Sequence, residues 1–287
     1  MKAADFIYHR ATGVAEALRY MEDYDGDARL LAGGQSLVPM LNMRLWRPAA
    51  LIDINALSEL AEVRTQGEDT HLGALVRHAT LETSPLVAAR LPLLAAMVRF
   101  VGDHQIRKRG TIGGSLVQGD PAAEIPLGCL VLGAEVSVVG PAGRRTIAIE
   151  DFYDGAYAAA LAPHELVTEI RFAKHPPHFA FRELCRRHND FAVLSVAATG
   201  QFSGDGQWSG LRIGLGGVND TPVLAQASMA LLEGSRLSDA DIAAAGEAAL
   251  GAIDPPGDIR GTAAYRAHLV PRYLAKVLRD LRLSAQS

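Results

Sequence analysis

The sequence predicts an α+β protein in two parts, and three features predict it. The opening runs strand, Gly-Gly turn, short helix, strand. Composition then shifts at the stiff tract His175-Pro176-Pro177-His178, which reads as a domain boundary between residues 1–176 and 177–287. Three β-rich runs follow, and helical spacing closes the chain.

Taken in order, Thr12 to Tyr24 has helical spacing through Val14, Ala17, Leu18 and Met21 and leads into a strand at Arg29–Ala32. Ser36 reads as the N-cap of a helix over Leu37–Leu45. A strand follows at Leu51–Asn55, with Ile52 and Ile54 on one face. Ser84-Pro85 opens a helix expected to run to about Val101. Glu135–Val139 and Arg144–Ile149 flank Gly140-Pro141-Ala142-Gly143 as a hairpin, and Leu166–Phe172 reads as another strand. Beyond the proline tract, Phe179–Arg187, Phe191–Phe202 and Trp208–Val218 read as an antiparallel meander that turns at Gly204-Asp205-Gly206. Helices are expected at Pro222–Glu233, at Asp239–Leu250 behind a Ser238…Asp241 capping arrangement, and at Ala263–Leu283, interrupted by Pro271.

With 28 basic and 32 acidic side chains among 287 residues, the chain lacks the basic stripe that a nucleic-acid partner demands. Arg107-Lys108-Arg109, the densest basic cluster, reads as a solvated loop, with phosphate or partner contact as the other reading. Cys129 and Cys185 stand in unrelated contexts and form no C-x-x-C pair, so no zinc or iron–sulfur site is expected. The nine histidines are scattered, and the pair flanking the two prolines reads as loop residues. Met1–Ala17 carries Asp5, His9 and Arg10 and lacks an apolar centre, so no signal peptide is expected. No membrane span is expected either, because charge interrupts every long apolar stretch. A cytoplasmic protein is the reading.

Two glycine pairs carry the chemistry: Ala32-Gly33-Gly34-Gln35-Ser36-Leu37 and Thr111-Ile112-Gly113-Gly114-Ser115-Leu116. Both read as turns after apolar, strand-like runs. Glycine lets a backbone approach a ligand closely, and bare N–H groups can converge on an anion. The two turns together suggest a clamp on a dinucleotide's diphosphate; a tight turn without ligand is the plain alternative for each. Each charge-assisted bond would supply roughly 1.5–3 kcal/mol. A Rossmann G-x-G-x-x-G fingerprint is missing, Gly214-Leu215-Gly216-Gly217-Val218-Asn219 failing at its last position, and so is a Walker A loop. There is no G-x-S-x-G elbow or H-E-x-x-H helix, which leaves hydrolysis and metal catalysis little support.

These residues resemble a known family. Leu31-Ala32-Gly33-Gly34-Gln35-Ser36-Leu37-Val38-Pro39-Met40, followed by Arg44-Leu45, resembles the first FAD loop of the medium subunit of the molybdenum hydroxylases, of the carbon monoxide dehydrogenase and xanthine dehydrogenase type. Gln105 to Gly114 resembles the second loop, Gly119-Asp120-Pro121-Ala122-Ala123-Glu124 continues it, and Arg186-Arg187-His188-Asn189-Asp190-Phe191-Ala192 is similar to a segment of the C-terminal part. The resemblance covers essentially the whole chain. It implies an FAD-binding domain of the vanillyl-alcohol-oxidase (PCMH) kind with two α+β subdomains, then a small domain with a three-stranded antiparallel sheet and helices.

The resemblance also implies roles. Leu31 to Leu37 and Thr111 to Ser115 would wrap the FAD diphosphate, with Gln118 and Asp120 continuing along the cofactor. Glu124 would stand where an aspartate usually bonds a ribose hydroxyl. Leu161, Arg182, Asp190 and Phe191 would lie at the flavin ring, where arginine can stabilise a reduced, anionic flavin. Plainer readings stand beside these: core for Leu161 and Phe191, a surface pair for Arg182 and Asp190. Gln35 cannot form the covalent flavin bond that a histidine can, so non-covalent FAD is expected.

Function follows as an expectation: an electron-transfer flavoprotein subunit, catalysing no hydroxylation alone. It would receive electrons through a small [2Fe–2S] subunit from a large molybdopterin subunit and pass them to NAD, quinone or oxygen, the substrate pocket belonging to the large subunit. The resemblance implies a heterotrimer, doubled to a dimer of heterotrimers, and with two cysteines no extra iron–sulfur cluster of the 4-hydroxybenzoyl-CoA reductase kind. A stand-alone flavin oxidase and a non-redox nucleotide-binding scaffold are the competing readings.

Overall fold

A computed structural model describes residues 2–187 and 189–285. The opening segment forms β1 (Ile7–Arg10), α1 (Val14–Asp23), β2 (Ala28–Leu31), α2 (Leu37–Asn42) and β3 (Ala50–Asp53). The strands make a parallel sheet in the order β1-β3-β2, with Ala50 opposite both Ile7 and Ala28. Ala17, Ala28, Ala50, Ile52 and Ile54 bury its inner face. Small residues let α1 lie close on the strands, and Glu16 fixes its start by accepting from the Thr12 N–H at 2.8 Å.

The middle of the chain builds β4 (Val63–Gln66), β5 (Asp69–Gly73), α3 (His78–Thr83), α4 (Pro85–Arg90), α5 (Pro92–Met97), α6 (His104–Arg109), α7 (Ile112–Gln118), α8 (Glu124–Val131), β6 (Glu135–Gly140), β7 (Gly143–Ala148), β8 (Tyr153–Gly155), β9 (Ala158–Ala159) and β10 (Leu166–Phe172). A five-stranded sheet runs β4-β5-β10-β6-β7, antiparallel where its pairs are registered. The single helix expected from Ser84 to Val101 is in fact two. Ser84 does cap α4, accepting from the Val87 N–H, but Pro92 has no N–H to continue the ladder and restarts the chain as α5. Every residue of α8 is buried, because the helix is packed between this sheet's core and the C-terminal sheet.

The C-terminal part holds β11 (His178–Cys185), β12 (Ala192–Phe202), β13 (Trp208–Gly216), β14 (Val223–Leu224), α9 (Gln226–Leu232), α10 (Asp239–Ala248) and α11 (Ala263–Ser284). The three expected strands pair antiparallel, and the two-residue β14 extends the sheet on β13. Residues 223 and 224, expected as helix, therefore belong to the sheet, and α9 starts later. The Ser238 and Asp241 side chains close a capping box at α10. Pro271 does not interrupt α11, which runs on through it. Gly246 of α10 lies so close that a Cβ there would stand 3.2 Å from the Pro271 Cβ, so helix packing holds the proline in line.

Candidate functional site

The first glycine pair leaves the C-terminal end of β2, where a parallel sheet opens a crevice. Gly34 takes φ +72, a left-handed turn suited to glycine. Gly33 is needed for another reason: a Cβ there would stand 2.3 Å from the Arg109 carbonyl oxygen. The first loop thus rests directly on the turn that leads into the second. Among the described residues, the N–H groups from Gly33 to Leu37 find no hydrogen-bond partner, whereas Val38 donates back to Gly34 at 3.0 Å. Ser36 was expected to cap α2, but its backbone is already helical and its side chain makes no capping bond.

The second pair differs from its expected form. It follows no strand; α6 precedes it, built from His104 through the Arg107-Lys108-Arg109 cluster that was expected as a loop. Asp103 caps that helix, and Arg107 turns back to pair with Glu82 at 2.8 Å. Gly113 and Gly114 lie in the first turn of α7, and their N–H groups are already used. Thr111 Oγ1 accepts from Gly114 at 3.1 Å, while Gly113 and Ile112 donate to the Ala74 and Val76 carbonyls at 2.9 and 3.0 Å. Ile112 and Gly113 are buried and face the core. Below them sits buried His78, whose Nε2 lies 3.1 Å from the Thr111 carbonyl and 3.0 Å from Ser115 Oγ. A carbonyl only accepts, so Nε2 carries the proton. Burial pushes this histidine down to about 4, and the ring is neutral near pH 7.

Beside the first loop lies a cleft of about 490 Å³, closed on its far side by Arg77 and Arg109; no residue from Thr111 to Ser115 lines it. Its frame is a polar network that sequence reasoning missed. Asn55 donates through Nδ2 to the Ala32 carbonyl at 2.9 Å and to Asp53 Oδ1 at 2.7 Å. Arg77 donates to Asn55 Oδ1 at 2.5 Å and to the Arg109 carbonyl. Tyr8 donates to Asp53 Oδ2 at 2.5 Å; burial opposes the Asp53 charge, but the Tyr8 and Asn55 donors hold its carboxyl below the usual range. Burial, and then the charge of Arg109, lowers the Arg77 pKa. Among the described residues neither arginine forms an ion pair with a carboxylate, although both line the cleft. A half-buried, unpaired cation beside a run of free N–H groups suits an anion. The diphosphate of FAD fits that donor set. The position of Asp53 at a strand's carboxyl end and of Asn55 just beyond it was the available signal; Arg77 offered none.

Of the other expected residues, Asp120, Asp190 and Phe191 collect elsewhere. Asp120 accepts from the Ala122 N–H at 2.9 Å and from the Tyr157 hydroxyl at 3.3 Å. Burial and then Asp120 raise the Tyr157 pKa, and the charges of Arg260 and Asp258 also reach that phenol. Arg260 lies over the Phe191 ring at 4.8 Å, and Phe191 is 54% exposed. Asp190 accepts from the Phe191 N–H at 2.9 Å and pairs with Arg187. Asp120, Tyr157, Asp190, Phe191 and Arg260 thus form a second cluster. Gln118 ends α7 just before it, and Leu161 packs against the central core. Glu124 is buried at the start of α8. Arg182 points the other way, to Asp280 of α11 at 2.5 Å. His188 lies outside the described residues.

A parallel strand–glycine–helix crevice fitted to a diphosphate, joined to an antiparallel sheet and helices, defines an FAD-binding component of an oxidoreductase. Residues 3–174 match the FAD binding domain in molybdopterin dehydrogenase, and residues 179–281 match the CO dehydrogenase flavoprotein C-terminal domain. The chain belongs to the FAD-binding medium subunits of the molybdenum hydroxylases, of the carbon monoxide dehydrogenase and xanthine dehydrogenase type. It is 39% identical to the 6-hydroxypseudooxynicotine dehydrogenase complex subunit alpha of Paenarthrobacter nicotinovorans, over 100% of this chain and 99% of that one. It is 35% identical to the carbon monoxide dehydrogenase medium chain of Hydrogenophaga pseudoflava, over 95% and 96%. Among solved structures, quinoline 2-oxidoreductase from Pseudomonas putida 86 superposes with a TM-score of 0.96 at 32% identity, covering 100% of both chains. No helix among the described residues is long and apolar enough to cross a membrane.

Proposed function

We propose that this chain is the electron-relay subunit of a molybdenum hydroxylase. Its partners are a large molybdopterin subunit, where substrate is oxidised, and a small [2Fe–2S] subunit that delivers electrons. Bound FAD supplies the redox chemistry, accepting electrons singly and releasing one or two to an acceptor such as NAD, quinone or oxygen. The chain's own residues bind and orient it. The observation that carries this reading is the run of unpartnered N–H groups from Gly33 to Leu37 facing Arg77, a donor set for the diphosphate.

In this reading Leu31 to Leu37 hold the diphosphate, chiefly by the backbone N–H groups from Gly33 on, and Thr111 to Ser115 continue the cofactor's path beyond Arg109. Gln118, Asp120 and Glu124 lead to the second cluster, where Leu161, Asp190 and Phe191 receive the flavin ring. Arg182, paired with Asp280, acts at a distance from that ring by anchoring β11 to α11. FAD is held non-covalently, Gln35 offering no nucleophile. The domain boundary falls at His175–His178, the complex is a dimer of heterotrimers, and it works in the cytoplasm.

Affinity purification of the chain from its host, with an absorbance spectrum and metal analysis, tests the proposal. Flavin bands with molybdenum, iron and two further subunits support it. FAD without metals or partners would mean a stand-alone flavoprotein, and a colourless chain would exclude flavin binding.

A further inference from the structure

A pair of acids lies where α8 meets the C-terminal sheet, and no role above uses it as a pair. Glu124, 8% exposed, opens α8, and Glu183 of β11 faces it. Both Glu183 carboxyl oxygens are buried and find no donor among the described residues. Strand register puts Ser195 beside Glu183 and Gly216 beside Ser195. The Ser195 hydroxyl is fully buried and also unpartnered among the described residues. At Gly216 a Cβ would stand 2.5 Å from Ser195 Oγ and 3.4 Å from Leu127 Cδ2, so sheet and helix touch with no room for a side chain.

Two carboxylates cannot both stay charged in so tight a wedge. The other titratable groups acting on them are Asp120, from the loop before α8, and Cys185 of β11; neither brings positive charge. A proton on one carboxyl is therefore the donor that the other lacks. We propose that Glu124 and Glu183 share a single proton and form a pH-sensitive joint between α8 and the C-terminal sheet, closed when the proton is held and loosened when it leaves.

The titration runs in that sense. Burial, and then the charge of the facing Glu183, raises Glu124; burial raises Glu183 as well, against the opposing contacts of Cys185 and Glu124. The pair titrates as a unit. Because the folded values lie above the unfolded ones, the joint's stabilisation is complete below the ordinary carboxylate range and is lost as pH rises from there through the raised folded values. The joint borders the second cluster through Asp120, so its loosening also loosens FAD; this arm rests on the function proposed above.

Thermal melting of the full chain from about pH 6 to about pH 9 tests the joint in wild type, Glu183→Gln and Glu124→Gln. The wild-type melting temperature should fall over this range. Each glutamine, neutral and nearly isosteric, should flatten the curve and melt above wild type at the alkaline end. Infrared spectra of wild type near neutral pH should contain a protonated-carboxyl stretch that disappears on alkaline titration, a readout that needs no variant to fold. Parallel melting curves, or no such stretch, would overturn the proposal. In the cofactor arm, FAD affinity of wild type should drop by up to about tenfold per pH unit above the folded values, and Glu183→Gln should not follow. FAD affinity independent of pH removes the cofactor link, while failure to bind FAD at any pH counts against the proposed function and leaves the melting test standing.

Discussion

The Arg77 guanidinium donates to Asn55 Oδ1 at 2.5 Å, and Asn55 in turn donates to the Ala32 carbonyl at 2.9 Å. Through its other end Arg77 also grips the Arg109 carbonyl. One side chain therefore ties the glycine loop of the parallel sheet to the turn between α6 and α7, and it does so while presenting unneutralised charge to the cleft.

Replacing Arg77 by glutamine should weaken FAD binding by about tenfold to a hundredfold, the equivalent of one charge-assisted bond at about 1.5–3 kcal/mol. Fluorescence titration of the apoprotein with FAD measures this, and added salt should weaken wild type more steeply than the variant. Equal affinity and equal salt dependence would remove Arg77 from the site.

Gly33→Ala should disrupt both fold and binding. Its Cβ would meet the Arg109 carbonyl at 2.3 Å, backbone against backbone, so the two loops must part. A loss of about 1–3 kcal/mol is expected, as for an overpacked core. Gly251→Ala, where nothing lies within 4 Å, serves as the control. Urea unfolding of both variants, followed by FAD titration, decides the matter: a Gly33→Ala protein as stable and as retentive as the control would refute the contact.

Much of this was legible in the sequence. β-rich runs marked the meander, and Ser238 with Asp241 marked the start of α10, because those signals are local. The glycine loops were legible as a pair, but their division of labour was not. Gly33 is small for the sake of Arg109, a residue far along the chain, while Thr111 consumes the Gly114 donor that the sequence left free. Long-range geometry also decided Arg77, which no motif flags, and Pro271, which packing against Gly246 keeps helical against its own propensity. The facing of Glu124 and Glu183 follows from strand alternation: Arg182 turns to α11, so its neighbour turns to α8.

Asp258 should make acid stability depend on the loop that carries Arg260. It pairs with buried Arg266 at 2.7 Å and accepts from the Arg260 and Gly261 N–H groups. Burial opposes its charge, yet these donors, Arg266 foremost, hold the carboxyl at about 2. A depressed folded value means stabilisation that is present above the unfolded pKa and lost as pH falls toward about 2. Asp258→Asn should therefore lower the melting temperature at neutral pH and reduce the gap to wild type on acidification. A constant gap across that range would show that the carboxylate charge is not what holds the loop.

Arg212 of β13 reaches across to the C-terminal end of α8, donating to the Val131 and Leu130 carbonyls at 2.9 and 2.8 Å and pairing with Glu150 at 2.5 Å. Helix ends leave such carbonyls without intrahelical partners, and buried ones are costly to abandon. The arginine is thus a rivet between the central core and the C-terminal sheet, at the opposite end of α8 from Glu124. Arg212→Met keeps much of the aliphatic stem while removing every donor; Leu130 still accepts from the Gly133 N–H at 3.1 Å, so the Val131 carbonyl is the acceptor left unsatisfied, at about 1–3 kcal/mol. If the rivet also couples the two parts, calorimetry should show one unfolding transition for wild type and two for the variant, with the C-terminal sheet losing protection from hydrogen exchange first. A variant that unfolds in one transition at the wild-type temperature would mean that apolar packing around α8 joins the two parts without help from Arg212.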